Sequence, residues 1–458
     1  MSNASSFIAK STIKAADLEH RRKINFNIGK YNAVVPIGKQ QFANLPTANE
    51  RAKNAKWKAI ENLDTYLEEF ENKITARGAK VIWAENATQA LEEVGRICKE
   101  KNCKTLVKSK SMVTEEIHLN HYLEQNGIES VETDLGEYIQ QLDGEPPYHI
   151  VTPAMHKSKE DVARLFADKL GVPGGLTPEE LTQVARQKLR EKYVQAEVGV
   201  TGANFIIADI GGIAVTENEG NARLSCAMPQ THIVIVGIEK MIPSISDLSL
   251  FWPLLSTYGT GQKVTVYNSI VTGPRQPKET DGPEDMYVIL LDNGRTNLLA
   301  NPTTREALYC IRCGACLNAC PVYKNIGGHS YETTYSGPIG KVITPYLSGM
   351  DAYKHLSYSS SLCGNCTEVC PVKINLHELL LDNRHEAVLQ GSSTLAERIA
   401  WKAWKTASLN RKMMNMGSGK TKNWVVNKVF KGWTAHRANL DFSQKTFNEM
   451  WQEFRSDL

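Results

Sequence analysis

Residues 310–321 read Cys310-Ile-Arg-Cys313-Gly-Ala-Cys316-Leu-Asn-Ala-Cys320-Pro321, and residues 363–371 read Cys363-Gly-Asn-Cys366-Thr-Glu-Val-Cys370-Pro371. The second run repeats the first without its leading cysteine. Three thiols two residues apart, on a tight turn with the small residues Gly314 and Ala315, converge on one small object from several directions. The next thiol lies a helical turn further on and points elsewhere. Pro321 and Pro371 then interrupt the backbone pattern just after it.

The spacing C-x2-C-x2-C-x3-C-P is that of bacterial two-cluster ferredoxins, where the fourth cysteine ligates the other cluster. It predicts one [4Fe-4S] cluster held by Cys310, Cys313, Cys316 and Cys370, and a second held by Cys320, Cys363 and Cys366. Zinc is the competing reading. Zinc sites pair two C-x2-C units, or cysteines with histidines, and a doubled C-x2-C followed by x3-C-P fits that poorly. Seven thiols cannot supply two cubes with four cysteines each, because the position of the missing cysteine is Ser360. Three alternatives stand: a non-cysteine ligand (Ser360, Ser361 or His355), a [3Fe-4S] cluster, or a ligand from outside.

The chain has 458 residues, enough for two or three domains, with 41% hydrophobic and 22% charged residues, ordinary for a globular protein. A net charge of +3 is too small to mark a nucleic-acid binder. Cys98, Cys103 and Cys226 lie outside the runs and form no disulfide framework, so a reducing, cytoplasmic setting is expected. Met1 to Phe7 lacks the basic start and apolar core of a signal peptide. No apolar run approaches the ~18 residues of a membrane span.

Four regions follow. Residues 1–72 are polar and helical, with Trp57, Ile60, Leu63, Leu67 and Phe70 at helical spacing, and with Pro36 and Pro46 breaking the region into pieces. Residues 73–295 alternate strands with helices, which argues for a parallel α/β domain. Expected strands include Lys80–Ala84, Thr105–Val107, Ser130–Thr133, His149–Val151, Thr231–Val236, Lys263–Tyr267 and Tyr287–Leu291. Thr114–Asn126 is expected as one helix.

Two loops of this region are candidates for a pocket. Val107–Met112 ends a strand ahead of a helix, where backbone N–H groups and Lys108 and Lys110 suit an anion. Ala208–Asn221 turns at Gly211-Gly212 and then carries Glu217 and Glu219. A carboxylate there suits a base or nucleophile, while a solvated acidic loop is the plainer alternative. His118 and His121, three apart on the expected helix, lack a third metal ligand and read better as surface residues.

Residues 296–390 form the cysteine region, with a short helix at Thr304–Leu308 and a linker, His329–Gly340, whose Tyr331 and Tyr335 are placed to shield clusters. Residues 391–458 form a basic helical tail: twelve Lys and Arg against five Asp and Glu, with five of the eight tryptophans. Basic surface with aromatic anchors suits a partner subunit, and helices packing on the chain itself are at least as good a reading.

The ordered motifs Thr105-Leu-Val-Lys-Ser-Lys-Ser-Met-Val-Thr-Glu-Glu116, Gly202-Ala-Asn-Phe-Ile-Ile-Ala-Asp-Ile-Gly-Gly-Ile-Ala-Val-Thr-Glu-Asn-Glu-Gly-Asn221 and the two cysteine runs closely resemble the lactate utilisation protein B family over nearly the whole chain. The resemblance implies action with two companion proteins in oxidising L-lactate to pyruvate, with electrons carried through two iron–sulfur clusters to an unknown acceptor. It maps the family's cluster ligands onto Cys310, Cys313, Cys316, Cys320, Cys363, Cys366 and Cys370, and makes seven cysteines the family pattern. It also implies that the α/β domain shares the fold of sugar-phosphate isomerases and CoA transferases. The rival is a stand-alone oxidoreductase that binds a small organic acid near Lys108, Lys110 and the Glu217 loop and uses the clusters as its electron sink. A regulatory role through nucleic acid is weaker still, since no reader motif is evident.

Overall fold

The computed structural model describes residues 2–429 and 438–456. Lys431, Trp433, Arg437 and Asp457 of the basic tail lie outside the described residues. Among the described residues ten strands occur in chain order: β1 Lys80–Ala84, β2 Thr105–Lys108, β3 Glu129–Glu132, β4 Val198–Thr201, β5 Phe205–Ile207, β6 Gly212–Glu217, β7 Thr231–Gly237, β8 Met241–Ile242, β9 Tyr267–Val271 and β10 Asp285–Leu291.

Six of them form a wholly parallel sheet in the order β1-β10-β7-β4-β2-β3. Its central strands are unbroken apolar runs because both faces are covered. Side chains alternate between faces. Ile233 and Ile235 of β7 pack with Val94, Ile97 and Leu119 on one face. Val234 and Val236 pack with Leu67, Phe70 and Ile74 on the other. Val107 and Val131 meet Phe166, Leu181 and Leu189 of helices Lys159–Leu170 and Pro178–Gln195. Thr177 caps the latter helix, with Pro178 at its first position.

Chain direction across the sheet reverses between β2 and β4. β3 lies outward of β2, whereas β4, β7 and β10 run the opposite way. In open parallel sheets such a switch point opens a crevice at the carboxyl ends of the strands. A second sheet, ordered β8-β5-β6-β9, stands beside it with β5–β6 and β6–β9 antiparallel. Gly211, at φ +60°, makes the turn between β5 and β6, where a Cβ would meet the Ile74 backbone nitrogen at 2.5 Å.

Four sequence expectations are corrected. His149–Val151 is not a strand: the His149 Nδ1 accepts hydrogen bonds from the backbone N–H of Val151 and Thr152, at 3.1 and 3.2 Å, and folds the segment into a local turn. The strand placed at Lys263–Tyr267 begins only at Tyr267, since Thr265 and Asn268 bond each other across a bend. The helix Thr114–Asn126 is two, Met112–Glu116 and Leu119–Gln125, parted at His118 with φ +55°. Pro36 does not break its helix but sits near the end of Leu18–Lys39, where few hydrogen bonds remain to be lost.

Residues 1–387 form one compact unit and 388–458 another. The largest core cluster of the first unit joins Phe7, Ile24 and Ile28 of the N-terminal helices to Phe251 and Leu254, and to Tyr323, Leu317 and Ile339 of the cysteine region. Within the second unit, helices Leu395–Leu409, Arg411–Met414 and Phe447–Ser456 bury none of their residues, and Trp401 and Trp404 meet edge to face at 5.7 Å. No helix among the described residues is long and apolar enough to cross a membrane.

Candidate functional site

The two cysteine runs fold as repeats of one backbone pattern. In the first, Arg312 (φ +60°) and Gly314 (φ +78°) take left-handed conformations, and helix Ala315–Ala319 follows. In the second, Leu362 (φ +53°) and Gly364 (φ +80°) do the same ahead of helix Asn365–Glu368. A left-handed non-glycine residue is costly and marks a loop held by its surroundings. The equivalence extends to the missing cysteine. Arg312 N–H donates to Cys310 Sγ at 3.4 Å, and Leu362 N–H donates to Ser360 Oγ at 3.1 Å.

Cys310, Cys313, Cys316 and Cys370 line one small cavity with Gly314 and Ile339. Cys320, Cys363 and Cys366 line a second, with Lys341, Ser360, Ser361 and His377. Each run thus sends its last cysteine to the other cavity. Helix Pro321–Ile326 starts at Cys320, whose Sγ accepts the Tyr323 N–H at 3.5 Å. Ile374 N–H reaches Cys370 Sγ at 3.4 Å.

The donor set suits a multi-iron cluster better than a single ion. Among the described residues no three cysteine sulfurs lie within 4.8 Å of one another, whereas one tetrahedral zinc with Zn–S bonds of ~2.3 Å would draw them that close. Burial pushes the Cys366 thiol up to about 11 and Cys370 up to about 12, and raises Cys313 and Cys316 as well. Buried thiolates therefore need cationic partners. Cys363, which is exposed, is pulled below the ordinary thiol value by the Asn365 N–H and the Ser361 hydroxyl.

The other expected residues sort differently. His355 is not at the second cavity; its ring packs against Phe7 at 5.4 Å. His377, which borders the cavity and bonds Thr367 through Nδ1 at 2.8 Å, was missed because it falls outside the cysteine spacing. His118 and His121 are separated by the helix break, and His121 bonds Gln125 at 2.9 Å. Tyr331 and Tyr335 are both buried. Tyr331 faces the Lys341 ammonium at 5.4 Å, and Tyr335 lies against the Arg312 guanidinium at 4.6 Å.

At the switch point lies a cleft of about 400 Å³. The segments after β2 (Ser109, Lys110, Ser111), after β4 (Gly202, Asn204) and after β7 (Lys240) contribute to it, and so do Glu217, Glu219, Arg312 and Cys313. Both suspected loops meet here, and the cleft adjoins the first cysteine site. Lys108 is not part of it. Lys108 is fully buried and bonds Thr114 and Glu115 at 2.9 Å and Glu132 at 2.7 Å. Lys110 is tied to the carbonyls of Ile150 and Val151. Glu217 accepts the N–H groups of Ala222 and Arg223 at 2.7 and 3.0 Å and so holds the start of helix Asn221–Ala227. That helix packs so closely on β4 that a Cβ at Gly199 would meet the Ser225 carbonyl oxygen at 1.8 Å. Burial, with Asp134 beside it, pushes the Glu219 carboxyl up to about 7.

Both matching family models fall within the first compact unit. A LUD domain model matches residues 67–291 and a 4Fe-4S dicluster domain model matches residues 306–374. Fold and site thus define an iron–sulfur protein, a parallel-sheet α/β domain followed by a helical ferredoxin-type region of the 4Fe-4S kind. Lactate utilization protein B of Bacillus velezensis is 45% identical over 381 residues, covering 83% of this chain and 80% of that protein. The proteins of the same name from Bacillus licheniformis (46% over 381 residues, 83% and 80%) and Bacillus thuringiensis (45% over 379 residues, 82% and 80%) are similar to the same degree. The chain belongs to the lactate utilization protein B family. Among solved structures, a DUF162 family protein from Deinococcus radiodurans matches half of the chain and 98% of its own at 11% identity, with a TM-score of 0.28.

Proposed function

We propose that the chain is an electron-transfer protein in the oxidation of L-lactate to pyruvate, working with two companion proteins. The family name supports the pathway. The observation that carries the electron-transfer reading is the crosswise sharing of seven cysteines between two cavities. Cys310, Cys313, Cys316 and Cys370 would hold one [4Fe-4S] cluster, and Cys320, Cys363 and Cys366 the other. Such clusters supply one-electron transfer when bound. Oxidation of lactate to pyruvate releases two electrons and two protons, so two one-electron stations suit it.

Ser360 is the proposed eighth ligand. It lines the second cavity, and its Oγ accepts from Leu362 as Cys310 Sγ accepts from Arg312. The Sγ-directed N–H groups would tune the clusters' electronics, and the buried Lys341 would offset negative charge at the second site. The α/β domain is proposed to follow the sugar-phosphate isomerase and CoA-transferase architecture, which its parallel sheet and switch-point cleft support.

The test is lactate-dependent reduction of an artificial acceptor by the anaerobically purified chain, alone and with the two companion proteins. Activity that requires the companions supports the proposal. Turnover by the single chain would favour the second reading, an oxidoreductase complete in itself, for which the contact between cleft and Cys313 speaks.

A further inference from the structure

Lys240 is 6% exposed, yet its side chain lines the cleft and makes no hydrogen bond or ion pair with any described residue. It ends the short turn Ile238–Lys240 that leaves β7. Its neighbour Glu239 makes no ion pair with it; that carboxylate receives Arg295 Nε at 2.5 Å. Arg312 stands nearby in the same cleft wall. Its Nη1 is buried without a partner, and its Nη2 is 3.5 Å from Glu239. Lys56 is a further cation here, its ammonium held by the Glu239 and Met241 carbonyls, and Cys310 is a negative neighbour of both Lys240 and Arg312. The Lys240 ammonium and the Arg312 Nη1 still lack a hydrogen-bond acceptor among the described residues, and buried donors without one are costly, so this corner of the cleft is built for an anion.

The remainder of the cleft narrows the choice. Asp134, Glu217 and Glu219 form a separate acidic group about the start of helix Asn221–Ala227. They disfavour a polyanion such as a nucleotide and suit a hydroxyl that donates a hydrogen bond. Ser111, Asn204 and Thr216 add neutral polar groups. A guanidinium fork beside an ammonium matches a planar carboxylate.

We infer that Lys240 and Arg312 form a carboxylate-binding subsite in the switch-point cleft, and that it takes a small hydroxy or keto acid whose other polar group faces the Glu219 side. The inference rests on the proposed role in lactate oxidation for the choice of acid. It places the acid's binding site on this chain, next to Cys313.

Calorimetric titration of the anaerobically purified full-length chain tests it, with L-lactate, pyruvate, neutral lactamide and inorganic phosphate as probes. One of the two acids is expected to saturate the site and raise the melting temperature, lactamide to do neither, and phosphate to bind at least tenfold more weakly. Lys240→Met is expected to weaken acid binding about 10- to 100-fold, the loss of a charged hydrogen bond, with iron content and the reduced-state EPR spectrum unchanged. Lactamide binding as well as lactate, or neither acid binding to a chain with full iron content, overturns the inference. So does a Lys240→Met chain that binds acid normally and shows an altered EPR spectrum, which would make Lys240 a charge partner of the cysteine site. The comparison of acid with lactamide uses the unmodified chain and stands even if the variant does not fold. An iron-free chain that binds acid would defeat the electron-transfer proposal and leave this one intact.

Discussion

Arg295 donates two hydrogen bonds, each 2.9 Å long, from its Nη1 and Nη2 to the two carboxylate oxygens of Glu116. Both side chains are buried, and Tyr335 of the cysteine region donates its hydroxyl to Glu116 at 2.6 Å. Arg295 also reaches Glu239 behind β7 and follows the end of β10. One guanidinium therefore ties the carboxyl ends of the central strands to the segment between the cysteine runs. Arg295→Met leaves two carboxylates buried beside an apolar chain. It is expected to cost about 3–5 kcal/mol, read as a lower midpoint in urea denaturation. An unchanged midpoint would show that the network adds nothing to stability.

His232 supplies an acid-sensitive point in the sheet. It is buried in β7, bonded to Thr201 Oγ1 at 2.8 Å, and burial lowers it to about 4 from 6.5. Between those values the unfolded chain binds more protons than the folded one. Stability thus rises with pH across that window and falls as pH drops from 6.5 to 4, by up to about 3 kcal/mol from this group. His232→Gln should flatten that part of the stability profile. An identical slope in both proteins would assign the acid sensitivity elsewhere.

Crosswise ligation predicts crosswise damage. Cys320→Ala should remove the second cluster and spare the first, although Cys320 belongs to the first run. Cys370→Ala should do the reverse. EPR of the reduced variants decides it. Loss of the first cluster in the Cys320 variant would mean that each run holds its own cluster.

Ser360 offers a test of the eighth position. Ser360→Cys should keep two four-iron clusters and shift the signal of one, since a thiolate is a softer donor than an oxygen. Ser360→Ala should give a three-iron signal in the oxidised chain. Two unaltered four-iron signals in the alanine variant would show that another group, with His377 the nearest alternative, completes the site.

Among the described residues the four buried apolar clusters draw on none beyond Leu380. A chain ending at Gln390 should keep the iron content and thermal transition of the full protein. Loss of either would make the basic tail a structural part of the first unit.

The sequence was most legible where geometry is local. Cysteine spacing and strand-length apolar runs such as Thr231–Val236 are written in neighbouring residues. Contacts between distant segments were hidden. Lys108 looked like an anion ligand because it follows a strand, and only the fold shows it paired with Glu132, 24 positions on. Arg295 lies at a region boundary, with no local motif to mark its buried pairing with Glu116 and Glu239. Lys240, at the end of the short turn that follows β7, carries no local signal, and only the sheet order brings it into the same cleft as Arg312. The His149–Val151 segment failed for another reason: a strand-like composition yielded to a histidine that bonds its own backbone.

The central claim, that seven cysteines and Ser360 hold two four-iron clusters, is tested most directly by iron and acid-labile sulfide analysis of the anaerobically purified chain, with low-temperature EPR before and after dithionite reduction. The account predicts about eight irons and eight sulfides per chain and two interacting signals in the reduced state. Zinc in place of iron, or about four irons with a single signal, would contradict it.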